Sequence, residues 1–270
     1  MRITFIGGGN MAQAIAGGLI KNGFDAKSIC AVEPLAEARA RLAQQFGVRA
    51  VASAAEAAPL GDLVVMAVKP QQMREAAAAI KPLAAGSLVL SIAAGTRLAD
   101  LRRWLGGHAL LARCMPNTPA LIGEGISGLY CAPQVSPEQR RMAVEVLQAV
   151  GEVIEVQSEA LLDPVTAVSG SGPAYVFLFI EALQRAAKEL GLSADQARAL
   201  SLQTFAGAAR LAASSGEDVG VLRERVTSKG GTTERALASM RDDKVVDAIV
   251  RAIHAANTRA AELGDQLGKD

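Results

Sequence analysis

Aromatic side chains, histidines and cysteines are scarce in this sequence, and its net charge is close to zero. Aromatics fill 3% of the 270 positions although half the residues are hydrophobic, so Ala, Leu, Val and Gly must do most of the packing. A formal charge of +1, with no long basic or acidic run, supplies no field to attract nucleic acid or an anionic membrane. The three cysteines, Cys30, Cys114 and Cys131, form no CxxC pair. This argues against a disulfide framework or a thiolate metal site, and for a reducing compartment. With His108 and His254 as the only imidazoles, a multi-histidine metal centre is excluded. The apolar run within MRITFIGGGNM is too short for the core of a signal peptide. The most lipid-like stretch, Val176 to Ile180, is far below membrane-spanning length. A cytoplasmic protein is expected.

The length suits two domains, each with its own core. Up to about Val156, short β-rich runs alternate with Ala-rich helical patterns. The predicted strands are Ile3–Ile6, Ser28–Val32, Leu63–Val68, Leu88–Ile92 and Leu110–Met115. Between them lie helical stretches at Met11–Asn22, Leu35–Phe46, Gln71–Ile80 and Thr96–Leu105. The strand runs are continuously apolar, the pattern of a parallel sheet covered by helices on both faces. The fold class is therefore α/β, an N-terminal Rossmann-like doubly wound sheet over residues 1–160. Gly128–Cys131 and Val153–Val156 flank a helix beginning near Pro137 and extend one edge.

Over residues 161–270 the strand signals vanish, and an all-helical domain is expected. Pro173–Leu190, Ser193–Ser214, Val219–Val226, Thr232–Met240 and Lys244–Leu263 read as helices. Ser193 with Gln196 makes a capping box, and Gly191 and Gly216 are stop signals. The Ser193 helix carries Leu200, Phe205, Ala208, Leu211 and many alanines, more small apolar surface than one such bundle covers. We read it as a subunit interface; the alternative is a monomeric helical cap.

Gly7-Gly8-Gly9-Asn10-Met11-Ala12 is a GxGxxA pattern between the first strand and an amphipathic helix. Gly7 permits the tight turn, Gly9 lets backbone approach a pyrophosphate, and Ala12 lets the helix pack on the strand. The helix N-terminus then offers N–H groups and partial positive charge to the phosphates. A glycine pattern alone is weak, but here it sits in the βαβ context it requires. Glu33 ends the second strand, where an acid favours NADH and an arginine favours the 2′-phosphate of NADPH. Arg39 and Arg41 stand nearby, so both coenzymes remain open.

Further along come Ala67-Val68-Lys69-Pro70, Ser91-Ile92-Ala93-Ala94-Gly95 and Arg113-Cys114-Met115-Pro116-Asn117-Thr118-Pro119-Ala120. They are followed by Ser169-Gly170-Ser171-Gly172-Pro173-Ala174-Tyr175 and Thr227-Ser228-Lys229-Gly230-Gly231-Thr232-Thr233. In this order, over essentially the whole chain, they resemble the pyrroline-5-carboxylate reductase family. The resemblance implies reduction of Δ1-pyrroline-5-carboxylate to proline by hydride from NADPH or NADH. It further implies that Val68, Lys69, Pro70, Ala93 and Ala94 line the nicotinamide side, with Asn117 and Pro119 nearby. Ser228, Gly230, Gly231, Thr232 and Thr233 would hold the substrate, and the helical domain would form an intertwined homodimer, with assemblies of several dimers open. Three positions depart from the family pattern. Lys229 stands where proline is more common, Glu33 where Ser or Arg is, and Ser53 remains as an adenosine-side contact where an asparagine is often found.

Gly230-Gly231-Thr232-Thr233 opens a predicted helix, so N–H groups and two hydroxyls converge where a carboxylate would bind. Read without the resemblance, Ser228 or Thr232 is equally an N-cap. A protonated imine is already a good electrophile, so positioning carries most of the catalysis. Thr233 is the expected catalytic residue, hydrogen-bonding the ring nitrogen. A catalytic role is expected neither of His108, in a loop before a strand, nor of His254, on the terminal helix. A β-hydroxyacid dehydrogenase, the nearest rival, needs a lysine on the first interdomain helix, and none occurs before Lys188. A non-catalytic dinucleotide sensor is the other rival, and it would have no need of the Gly-Gly-Thr-Thr segment.

Overall fold

A computed structural model describes residues 1–269. Strands β1 (Ile3–Ile6), β2 (Ile29–Val32), β3 (Arg49–Val51), β4 (Leu63–Met66), β5 (Leu88–Ser91), β6 (Leu111–Met115), β7 (Gly125–Cys131) and β8 (Gly151–Glu155) form one eight-stranded sheet. Its order is β3-β2-β1-β4-β5-β6-β7-β8, and every neighbouring pair is parallel except β6 with β7. The order reverses between β1 and β4, the switch point at whose carboxyl edge open α/β sheets bind ligands. The two strands expected at the edge lie there, each longer at its start than the sequence pattern indicated. The short β3 is half-exposed, so it lacks the continuous apolar run that marks the central strands.

Strand alternation builds two cores. Ile3, Phe5, Leu63 and Val65 pack toward Ile15 and Leu19 of α1 (Asn10–Lys21). Val64, Met66 and Val89 face the other way, and Met73, Ala77, Ile80, Leu98 and Leu101 cover them from beyond the sheet. Between these helical stretches run α2 (Ala36–Phe46) and the single turn α3 (Ala54–Ala57). Met73, Ala77 and Ile80 belong to α4 (Met73–Ile80), Leu98 and Leu101 to α5 (Leu98–Trp104). On the α1 side α6 (Pro137–Gln148) adds Ala143, Val146 and Leu147 behind a Ser136/Gln139 capping box. Burial on both faces explains why every residue of β1, β4 and β5 is buried.

Contacts divide the chain into two compact units, Met1–Ser171 joined by the chain from Ala256 onward, and Gly172–Ala255. The boundary expected at 160/161 thus lies later, and the reason is packing. The turn α7 (Leu162–Val165) buries Leu162 completely, and Ala167 is 1% exposed. Any Cβ at Gly128 would lie 2.7 Å from Val165. Arg113, buried in β6, reaches Glu159 at 3.2 Å and Asp163 at 3.7 Å. These contacts hold the segment after 160 to the sheet.

The second unit is built from α8 (Gly172–Glu189), α9 (Ala194–Ser215), α10 (Val219–Arg225), α11 (Thr232–Asp242) and the start of α12 (Val245–Leu267). The Ser193/Gln196 capping box is present, and Gly191 and Gly216 take positive φ at the expected stops. Phe179 and Phe205 meet across α8 and α9, ring centroids 6.4 Å apart. Residues 159–189 are helical and, by length and composition, apolar enough to cross a membrane, with 11% of the most apolar window buried. That run is longer than Val176–Ile180 because α7 and the π-helical turn at Thr166–Gly170 precede α8. The last part of α12 belongs to the first unit. Arg97 bonds the Ala261 carbonyl at 3.2 Å and Asp265 at 2.9 Å, and a Cβ at Gly95 would meet Leu267 at 2.8 Å.

Candidate active site

The turn after β1 has the shape its glycines predict. Gly7 takes φ +100°, and its N–H donates to the Val32 carbonyl at 2.8 Å. A Cβ there would lie 2.8 Å from the Ala67 carbonyl oxygen and 3.0 Å from Val68, so only glycine fits between β1 and β4. Gly8 is equally confined, its Cβ position 2.5 Å from Leu42 and 3.2 Å from the Glu33 carboxylate. At Gly9 the same position faces open space, and Gly9 is the N-cap of α1 with no side-chain cap. The first-turn amides are therefore left for an external acceptor, beside a backbone that a flat phosphate chain can approach. Asn10 is exposed, Met11 half-buried and Ala12 buried against the sheet. Gln13, which the sequence reading did not single out, secures the loop from inside α1 by donating to the Gly8 carbonyl at 2.8 Å.

Glu33 directly follows β2, and its carboxylate accepts the Gly8 N–H at 3.0 Å. Ser53 is exposed and N-caps α3, its oxygen facing the Glu56 N–H at 3.4 Å while its hydroxyl donates to the Glu56 carboxylate at 2.9 Å. Val68, Lys69 and Pro70 follow β4, with Lys69 exposed and Pro70 starting a short 3₁₀ turn. Ala93, buried, and Ala94, half-buried, follow β5. These segments all leave the carboxyl edge of the sheet, where the sequence reading put the coenzyme. Asn117 has a visible structural task as well. Its Oδ1 accepts the Ile126 N–H at 2.9 Å and its Nδ2 donates to the Ser169 carbonyl at 3.3 Å, tying the β6–β7 connection to the π-helical turn. His108 lies against the Ser87 carbonyl at 2.9 Å, away from these loops.

In the second unit α11 begins at Thr232 behind Gly231, whose φ of −84° and ψ of 171° make it the N-cap. Neither Ser228 nor Thr232 takes that position. Gly230 adopts φ +76° and Gly231 donates to the Ser228 carbonyl at 3.0 Å, which folds the segment into a tight turn. The Gly230 N–H donates to the Glu234 carboxylate at 2.7 Å. A carboxylate of the chain itself thus occupies one amide of this turn. Glu234 was missed; an acid in the first turn of a helix was the available signal. Thr232 is exposed and Thr233 half-buried, and their hydroxyls take no hydrogen bond among the described residues.

Burial pushes the Cys114 thiol up to about 12 and Cys131 to about 11, so neither is a thiolate nucleophile at neutral pH. Among the described residues, no group of His, Cys, Asp and Glu is arranged to hold a metal ion.

Two family models match the chain. Residues 159–263 match pyrroline-5-carboxylate reductase dimerisation, and residues 2–95 match NADP oxidoreductase, coenzyme F420-dependent. The pyrroline-5-carboxylate reductase of Pseudomonas aeruginosa is 48% identical over 99% of this chain and 98% of its own length. A solved pyrroline-5-carboxylate reductase from Coxiella burnetii superposes with a TM-score of 0.92 at 40% identity, covering 97% of this chain and 98% of that one. The Plasmodium falciparum pyrroline carboxylate reductase, solved with NADP bound, gives 0.87 at 29% identity, covering 98% of each chain.

Proposed function

Because the chain belongs to the pyrroline-5-carboxylate reductase family, we infer that it reduces Δ1-pyrroline-5-carboxylate to L-proline with NADPH or NADH, the last step of proline biosynthesis. It is an oxidoreductase acting on a C=N bond. The single observation that carries this reading is the length of the match, since the similarity spans both the glycine loop and the Gly230–Thr233 turn. The β-hydroxyacid dehydrogenase and sensor readings are not favoured.

The bound coenzyme supplies a hydride from its nicotinamide. The chain's own residues bind and orient. The amides opening α1 hold the pyrophosphate, Glu33 and Ser53 face the adenosine, and Val68–Pro70 with Ala93 and Ala94 form the wall for the nicotinamide. At the head of α11 the turn of Ser228, Gly230, Gly231 and Thr232 seats the substrate carboxylate. Because the Gly230 and Gly231 amides already bond the Glu234 carboxylate and the Ser228 carbonyl, the hydroxyls of Ser228 and Thr232 and the first-turn amides of α11 make the contact. Thr233 offers its hydroxyl to the ring nitrogen and aligns the protonated imine. That division of labour needs no strong side-chain acid, because the protonated C=N is already electron-poor.

The chain forms a homodimer, as the match to the family's dimerisation region indicates. Phe177 and Leu178 of α8, 60% and 64% exposed, lie within that region. We assign the exposed apolar residues of α8 to this subunit interface rather than to lipid, and the protein to the cytoplasm. Leu121 and Ile122, 55% and 77% exposed, lie outside the matched region and offer apolar surface for dimers to associate further. The test of the reaction is direct. Purified protein given pyrroline-5-carboxylate should oxidise NADPH or NADH and form proline; protein that binds coenzyme yet leaves the imine unreduced refutes the reading.

A further inference from the structure

We propose that Glu33 makes this coenzyme site selective for NADH over NADPH. The inference rests on the reductase reading above and goes beyond it, because the reaction runs with either coenzyme. Glu33 is the first residue past β2, at the carboxyl edge next to the strand bearing the glycine loop. Four hydrogen bonds fix it there. Its carboxylate accepts from the N–H of Gly8 at 3.0 Å and of Leu35 at 3.0 Å. Its own N–H donates to the Val51 carbonyl at 2.9 Å, and its carbonyl accepts from Arg39 Nη1 at 2.9 Å.

An acid at the end of this strand accepts hydrogen bonds from the adenosine ribose hydroxyls. A carboxylate has about four lone-pair sites, so two backbone contacts leave it able to accept a ribose 2′-hydroxyl. The 2′-phosphate of NADPH offers no such donor and brings charge of the same sign. No ion pair to the Glu33 carboxylate forms among the described residues; the neighbouring guanidinium, Arg39, is engaged by the backbone carbonyls of Glu33 and Pro34 instead.

Arg39 and Arg41 are the residues that could reverse the preference; Arg41 is exposed, and the structure gives Arg39 another task. The same Nη1 that bonds Glu33 also donates to the Pro34 carbonyl at 2.6 Å, so the guanidinium clamps the turn that carries Glu33. Arg39 is thus a positioning residue for the acid.

The test is calorimetric titration of the full-length protein with NAD⁺ and with NADP⁺, alongside kcat/KM for NADH and NADPH on the same imine. Wild type should favour the unphosphorylated coenzyme by at least about tenfold in both measurements, since placing like charges side by side costs more than about one factor of ten in affinity. Glu33→Gln removes the charge but keeps an acceptor oxygen, and should cut that ratio by a similar factor, mainly through tighter NADP⁺. A wild-type preference for NADP⁺ overturns the proposal without any variant. So does a ratio that stays put in folded Glu33→Gln, or an Arg39→Met change that weakens NADP⁺ alone. Protein that binds NAD⁺ selectively but reduces no imine would leave this proposal standing and remove the reductase reading instead.

Discussion

Arg113→Met is the substitution whose cost the structure specifies most closely. The side chain of Arg113 is 4% exposed and lies 3.2 Å from Glu159 and 3.7 Å from Asp163, themselves 25% and 18% exposed. With an effective dielectric of about 20, each contact carries a Coulomb attraction of roughly 5 kcal/mol, much of it offset by desolvation of the ions. What decides the outcome is the state left behind. Methionine would fill the buried space but strand two neighbouring carboxylates, and breaking a buried pair from one side costs about 3–5 kcal/mol. The acids are partly exposed and Glu159 keeps the Leu98 N–H at 2.8 Å, so the lower end, about 3 kcal/mol, is expected. For a chain of this size that lowers Tm by about 6–12 °C. Thermal unfolding should be followed at matched protein concentration, because dimerisation is linked to stability. Adding Glu159→Gln and Asp163→Asn to Arg113→Met should recover part of the loss, since the stranded charges are then gone. A single variant within about 1 kcal/mol of wild type, or a triple variant no better than the single, would refute the reasoning.

Three further outcomes are expected. Gly7→Ala forces a side chain into a left-handed φ against the Ala67 carbonyl, and should weaken coenzyme binding by at least about tenfold in a fluorescence titration. Thr233→Ala should lower kcat well below wild type while the coenzyme Kd stays unchanged; near-normal turnover removes Thr233 from the mechanism. Cys114 and Cys131 should resist iodoacetamide at neutral pH in folded protein and react in urea, as mass spectrometry would read. Because burial raises both thiols, the folded state holds their protons more tightly than the unfolded chain. Their contribution to stability is complete below the ordinary thiol value of 9.0 and is lost as pH climbs toward about 11 and about 12, which a pH series of Tm should show.

The central strands and nearly every helix were legible because their residues obey one period at a time. Continuous apolar runs such as Leu63–Met66 mark strands buried on both faces, and Ser193 with Gln196 marks a helix start from local hydrogen bonding alone. The coenzyme loop was legible for a similar reason: glycine at Gly7 is a backbone requirement. What stayed hidden depends on residues distant in sequence. Nothing near Arg113 announces that its partners stand at 159 and 163, and that pairing moves the end of the first unit to Ser171. Asn117 could be read only as a motif residue, whereas its amide spans from Ile126 to Ser169. The return of α12 was equally invisible, since Leu267 on Gly95 is a contact with no local pattern.

That return makes the two units joined twice by covalent chain, once after Ser171 and once before Ala256. A protease that nicks any loop within Gly172–Ala255 yields fragments that each retain part of the sheet unit, and neither is set free without unfolding it. Expressing residues 1–171 by themselves would strip the Arg97 guanidinium of Asp265 and uncover the surface at Gly95.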